Sequence, residues 1–351
     1  MEFEIKTLTP VHIGNGETLS PYGDYIKDED YIYIIDYTKL ENHLRDSDES
    51  EKMIDEFVEI ISKQAAGNKS DRYTIKNFFE NNKLNFKEFS SAQIELVGKI
   101  NNEEISQTVK TGNRPIIPGS TIKGAIRTAL LYNHLEEDGY KFHKMKRGYN
   151  GGEIFGKYGD DQMKYLHVSD SNPLDPESMI VLHTDRWNLK KKKATIPLMK
   201  EAISVNQKMN IRIQSKATDQ NSLDSKLNYL LEGNENIIID KVNRFTKANL
   251  KKEIDDLKAY DGSKLSNIIS KYTEIYNKIE EKEANSMILR VGAGKTYFDN
   301  TIANILDEKD LNKVRKELDS NNYSPFPITR TVVTNNSQIS NTLGWIELTK
   351  V

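Results

Sequence analysis

The ten residues Pro118-Gly119-Ser120-Thr121-Ile122-Lys123-Gly124-Ala125-Ile126-Arg127 concentrate more binding chemistry than any other stretch of the chain. A glycine turn that opens a helix leaves backbone N–H groups unpaired at the positive end of the helix dipole, and such an end attracts anions. Ser120 is the predicted N-cap. Lys123 and Arg127 stand four residues apart and project from one helix face, and Gly124 lets a phosphodiester backbone come close. With Gly119 and Thr121 they define an expected phosphate clamp, one that reads the backbone and ignores base identity. An N-capped surface helix without a ligand shows the same pattern.

Two further segments bear on anion binding. Gly292-Ala293-Gly294-Lys295-Thr296 is reminiscent of a nucleotide-binding loop, but that motif needs a glycine where this chain has Leu289. The loop is too short to wrap a triphosphate, so Gly292, Gly294 and Lys295 are expected to meet an RNA backbone through amides and charge. Lys190-Lys191-Lys192-Lys193, between Trp187 and Ile196-Pro197, reads as a hairpin-like electrostatic finger with Trp187 stacking on a base. A solvated basic loop is the plainer reading of the lysines. Arg330, in Thr329-Arg330-Thr331-Val332-Val333, is grouped with these cations.

Acid–base chemistry has few candidates. His12 lies in Thr9-Pro10-Val11-His12-Ile13-Gly14, followed by Asn15 and Gly16, and Asp24 and Asp170 stand on loops. A histidine flanked by β-branched residues is more often a packed strand residue than a base, and no acid partner is placed beside it. A lone loop aspartate is usually a turn former. The chain has no cysteine, which excludes disulfides, thiol nucleophiles and Cys-ligated zinc. Its six histidines never show the H-x-x-x-H spacing that places two ligands on one helix face. Neither a metal nor a cofactor is expected.

The net charge of −3 hides segregation. Residues 41–59 hold eight acids against Arg45 and Lys52, whereas 186–200 hold six bases and 110–127 hold four, both without an acid. A polyanion responds to the local field and not to the sum. The N-terminus has no basic region followed by an apolar one, and no apolar run approaches the ~20 residues of a membrane helix. A cytoplasmic protein with no membrane partner is expected.

The elements that must position these groups alternate without the regular period of a parallel α/β fold, so the expected class is α+β. Strands are predicted at 2–13, 31–35, 164–169, 179–184, 287–291, 329–333 and 345–351, with a strand pair in 197–213. Helices are predicted at 38–66, 74–99, 120–134, 220–286 and 297–319, and glycines at 148, 151, 152, 156 and 159 mark a loop. The stretches 38–100 and 220–286 read as helical insertions. A boundary near 185 divides the chain into 1–185 and 186–351.

In this order, TPVHIGNG, IPGSTIKGAIRTALL, EIFGKYG...YLHVSDS, GAGKT and LGWIEL resemble the signatures of the RAMP superfamily of CRISPR-associated proteins, and the block at 116–131 is the most specific. The resemblance spans nearly the whole chain apart from the two insertions. It runs nearest to the fifth-subunit family of the type III-A Csm interference complex. It implies two ferredoxin-like, RRM-like domains and a non-catalytic subunit that binds crRNA at the 3′ side of the filament. The implied partners are crRNA, a neighbouring backbone RAMP subunit and host nucleases that trim the guide. By that analogy Gly119, Ser120, Lys123 and Arg127 touch the crRNA backbone, 187–193 forms a thumb-like projection, and 292–294 is the superfamily's C-terminal glycine loop. Two rival activities remain: metal-dependent target cleavage through Asp24, and metal-independent crRNA processing through His12.

Overall fold

The computed structural model describes residues 1–47, 50–67, 74–100, 103–139, 151–157, 159–218, 223–281, 285–318, 325–335 and 338–351. The first half begins with strands β1 (Glu2–Thr7), β2 (Gly14–Leu19), β3 (Tyr25–Asp28) and β4 (Tyr31–Ile35). Helices α1 (Tyr37–Asp46), α2 (Ser50–Ala65) and α3 (Ile75–Asn81) follow, then β5 (Ser90–Val97), β6 (Ile105–Thr108), β7 (Lys110–Thr111) and β8 (Arg114–Pro115). Next come α4 (Gly119–Glu137), α5 (Gly152–Phe155), β9 (Leu166–Val168), β10 (Met179–Asn188), β11 (Lys193–Ile203) and β12 (Lys208–Ser215). The chain continues with α6 (Glu235–Asp261), α7 (Ser266–Glu281), β13 (Ser286–Arg290), α8 (Glu308–Glu317), β14 (Thr329–Asn335), β15 (Gln338–Asn341) and β16 (Trp345–Lys350). Gly148 lies outside the described residues.

The alternation of β1 decides the first layer. Phe3 and Ile5 point into the core while Glu2 and Glu4 face outward. Ile5 sits opposite Met209 of β12 on one side and Leu348 of β16 on the other, so the first strand is an interior strand. The five-stranded sheet runs β13-β16-β1-β12-β9. Helix α4 sets Ile122, Ile126, Ala129 and Leu130 against it, and α6 adds Ile238, Ile239, Val242 and Phe245. The Tyr132 and Phe245 rings meet at 5.2 Å between the two helices. Strands β16-β1-β12-β9 with α4 and α6 thus form a ferredoxin-like β-α-β-β-α-β unit, and β13 extends it beside β16.

The second sheet follows β2-β6-β11-β10-β5-β4-β3, and β14 and β15 join through β10. Helices α1–α3 cover its β3–β4 end through Leu40, Leu44, Met53, Ile60, Phe78 and Phe79.

The α+β class holds, and several boundaries move. Residues 90–97, expected in a helix, form β5, which hydrogen-bonds to β4 and β10. Its Ile94 and Leu96 are buried while Gln93 and Glu95 are exposed, a two-residue period too short to stand out beside the helical pattern before it. Helix α6 is no insertion; it is the second helix of the ferredoxin-like core. The 197–213 strands belong to different sheets. Among the described residues of the predicted 297–319 helix, only Glu308–Glu317 are α-helical. Position 185 falls inside β10, and β1 pairs with two strands beyond it, so strand pairing crosses the expected boundary.

Candidate nucleic-acid interface

The start of α4 is capped differently from the expectation. Pro118, not Ser120, takes the N-cap position and offers no side-chain bond. The cap comes from outside the helix: the Gly119 N–H donates to Asp170 Oδ1 at 2.7 Å. A Cβ on Gly119 would lie 2.3 Å from the Val168 carbonyl oxygen, so glycine here lets the helix dock on β9. Ser120 stays exposed and Thr121 half-buried, while open space surrounds the position of a Cβ on Gly124. Lys123 and Arg127 share a face, yet their surroundings differ. Arg127 pairs with both Asp161 oxygens, at 2.8 and 3.1 Å, and its guanidinium lies 4.4 Å from the centre of the Phe155 ring. That geometry pins Phe155 and Asp161 to α4, whereas Lys123, half-buried, turns to the neighbouring groove.

Lys123 lines a groove of about 490 Å³ at the edge of the five-stranded sheet. Ser120, Lys164, His167, Ser169, Arg212, Gln214 and Lys216 complete its polar lining, over Leu166 and Val168. Four permanent cations and one histidine converge here, and among the described residues no carboxylate lines the groove. Burial, then the neighbouring charge of Arg127, hold Lys123 below the ordinary lysine range, with Asp161 opposing. Burial and the charges of Lys216 and Lys123 lower His167. Arg212 also reaches Glu2 at 2.7 Å. A polyanion in this groove relieves repulsion among the lining cations.

Sequence reasoning found Ser120 and Lys123 of this set and missed Lys164, His167, Ser169, Arg212, Gln214 and Lys216. The signal was present in Lys208-Met209-Asn210-Ile211-Arg212-Ile213-Gln214-Ser215-Lys216. Its apolar residues and Ser215 point to the core, while Lys208, Asn210, Arg212, Gln214 and Lys216 alternate onto the opposite face. Gln214 stands opposite His167 in the ladder, which joins that face to β9.

The glycine loop at 292–295 is a structural junction. The Ala293 N–H donates to the His12 carbonyl at 2.8 Å, the Gly344 N–H to Pro10 at 2.8 Å and the Val291 N–H to Gly344 at 2.7 Å. A Cβ on Gly292 would meet the His12 carbonyl oxygen at 2.1 Å, one on Gly294 the Leu343 carbonyl at 2.7 Å, and one on Gly344 the Val291 carbonyl at 2.2 Å. Three signature segments far apart in sequence therefore converge backbone to backbone. Lys295 is half-buried at this junction, and burial lowers its pKa. Gly14 and Gly16 are exposed in β2 beside it.

The basic hairpin is real, with corrections at its root. Lys190, Lys191, Lys192 and Lys193 are all exposed at the β10–β11 turn, which Asn188 holds by accepting from the Lys191 N–H at 2.8 Å. Trp187, expected to stack on a base, is 9 % exposed and packs in the core with Leu189 and Val332. Arg330 is 4 % exposed and donates to Glu253 at 2.6 Å, so it stabilises the core beneath the hairpin.

The acid–base candidates are also engaged. His12 is buried, its Nδ1 lies 2.6 Å from the Glu201 carbonyl, and its pKa is pushed down to about 4 by burial and then by Lys200. It is a neutral imidazole at neutral pH. Asp24 Oδ2 accepts from the Ser20 N–H at 2.7 Å and closes the turn between β2 and β3. Among the described residues no cluster of His, Asp and Glu could hold a metal ion, and no helix is long and apolar enough to cross a membrane.

A ferredoxin-like sheet thus carries a cationic groove at its edge, and three of the signature segments meet backbone to backbone in a glycine junction. The profile of the RAMP superfamily matches residues 4–297, and the chain belongs to that superfamily. Its likeness within the superfamily runs to Csm5. A Methanocaldococcus jannaschii protein described as "CRISPR system Cms protein Csm5" is 28% identical over 390 residues, covering 100% of this chain and 89% of the relative. A Streptococcus thermophilus protein of the same description is 27% identical over 245 residues, covering 64% and 67%. Among solved structures, a chain of a type III-A Csm–crRNA–target RNA ternary complex superposes with a TM-score of 0.73 at 25% identity, covering 99% of each chain. Csm5 of T. onnurineus superposes at 0.67 and 22% identity, covering 98% of this chain and 99% of that one.

Proposed function

We propose that this chain is a non-catalytic crRNA-binding subunit of a type III-A Csm effector complex. In this reading it caps the 3′ side of the crRNA filament, meets the neighbouring backbone RAMP subunit, and contributes to crRNA maturation and antiviral defence in the cytoplasm. Host nucleases that trim the guide are its transient partners. The observation that carries the reading is the groove, where Lys123, Lys164, Arg212 and Lys216 surround about 490 Å³ with no carboxylate among the described lining residues. Such a lining holds phosphates and leaves the guide's bases free to pair with a target. The likeness to a chain of a Csm–crRNA–target RNA assembly supports it.

The test is a binding titration of crRNA-like single strands of several sequences, with and without magnesium, with the products examined for cleavage. Lys123→Ala with Lys164→Ala and Lys216→Ala is expected to weaken binding roughly tenfold or more, equally for every sequence, because phosphate contacts carry no sequence information. Sequence-selective loss would refute a backbone clamp. Magnesium-dependent cleavage abolished by Asp24→Ala, or metal-independent cleavage abolished by His12→Ala, would make the chain a nuclease.

A further inference from the structure

Helix α2 carries two apolar stripes, and among the described residues only one is buried in the core. Met53 and Ile60 are buried against α1, α3 and the β3–β4 end of the larger sheet, with Phe57 packed beside them. Ile54, Val58 and Ile61 follow the i, i+4, i+7 spacing of a second stripe, and they are 44%, 55% and 36% exposed. A surface helix that packs on one side ordinarily turns polar residues to water on the other. Three large aliphatic side chains in a row are a contiguous patch and not scattered singles.

The rim of this stripe identifies what fits it. Glu51, Asp55 and Glu59 repeat every fourth residue alongside it, all exposed and without an ion pair among the described residues. An acidic rim repels a polyanion, so RNA is a poor occupant. A second copy of this chain paired about a two-fold axis would bring the same row of carboxylates towards itself. A protein surface with an apolar centre and a lysine- or arginine-rich border satisfies both the stripe and the rim.

We propose that the exposed face of α2 docks a basic-rimmed apolar surface of another protein subunit in the same assembly. The inference rests on the assembly reading above, but it uses a different sheet and different residues from the RNA groove. The stripe supplies the desolvated centre of the contact, and the acids set its orientation and its salt dependence.

The experiment reconstitutes the full chain with guide RNA and the other protein subunits of its assembly, followed by carbodiimide coupling of adjacent carboxylates and amines and mass-spectrometric mapping. Cross-links from Glu51, Asp55 or Glu59 to lysines of a different subunit are expected. Ile54→Ser with Val58→Ser and Ile61→Ser should remove those cross-links and weaken incorporation about tenfold or more, with RNA binding by the isolated chain unchanged. The charge-reversed chain, Glu51→Lys with Asp55→Lys and Glu59→Lys, leaves the apolar core intact and should lose incorporation in the same way. Cross-links only between two copies of this chain, protection of α2 by RNA alone, or wild-type incorporation of both variants would overturn the proposal. A wild-type chain that joins no assembly would sink the assembly reading itself, which separates the two failures.

Discussion

Lys123 and Arg127 look equivalent in the sequence, four residues apart on one helix, and the structure gives them opposite roles. Lys123→Ala is expected to lower RNA affinity and leave thermal unfolding unchanged. Arg127→Ala is expected to lower the unfolding temperature by a few degrees, because it releases Asp161 and uncovers the Phe155 ring. Calorimetry alongside an RNA titration separates the two, and an unchanged melting temperature for Arg127→Ala would refute its bracing role. His12 makes a second prediction at this scale. Its native pKa of about 4 lies below the ordinary 6.5, so the unfolded chain binds the proton more readily than the folded one. The resulting stability is present above pH ~6.5 and is lost as pH falls towards ~4, on the order of 3 kcal/mol in total. Denaturant titrations across that window should show a shallower acid slope for His12→Asn than for the wild type.

At the level of elements, the glycines at 292 and 344 act as spacers between backbones, and neither is a ligand loop for a nucleotide. Gly292 has φ +62° and faces the His12 carbonyl, so Gly292→Ala meets both a left-handed backbone and a carbonyl in its path. It is expected to destabilise the chain strongly, whereas alanine at Gly124, with open space around it, should be neutral or slightly stabilising. Comparing urea midpoints of the two variants checks this. These elements also show what the sequence made legible. The α4 segment, the basic hairpin, the glycine loop and the terminal strands were all found, because capping, charge runs and glycine punctuation are local signals. The groove was only half found. Lys123 sits on a helix with a recognisable start, but Arg212 and Lys216 acquire meaning only when β12 is laid beside β9, and that pairing spans dozens of residues. Trp187 and Arg330 failed as surface candidates for the same reason. Their burial is set by β10 and β14 pairing across the chain, which no window of neighbouring residues reports.

Over the whole molecule, charge is partitioned: cations gather at the sheet edge and the hairpin tip, while acids rim α2. Four lysine and arginine side chains in the groove predict that the logarithm of RNA affinity falls with the logarithm of salt at a slope near −3, by about 0.7 per neutralised phosphate on a single strand. A slope near zero would deny the groove its electrostatic role. Beneath these surfaces lies a buried ionic core. Arg290 donates to Asp299 at 3.1 Å and to Thr342 at 2.7 Å, with its guanidinium over the Tyr272 and Trp345 rings. Arg290→Ala leaves Asp299 uncompensated and is expected to cost roughly 3–5 kcal/mol by denaturant unfolding. The placement of β1 between β12 and β16 also governs how the protein comes into being. A ribosome adding about 5–20 residues per second needs roughly 20–70 seconds to pass from the first strand to the last. Throughout synthesis one edge of β1 stays open, a template for any stray strand. A polypeptide cut short before Trp345 is therefore not a weaker version of this protein but one that keeps a strand edge of β1 open to other chains.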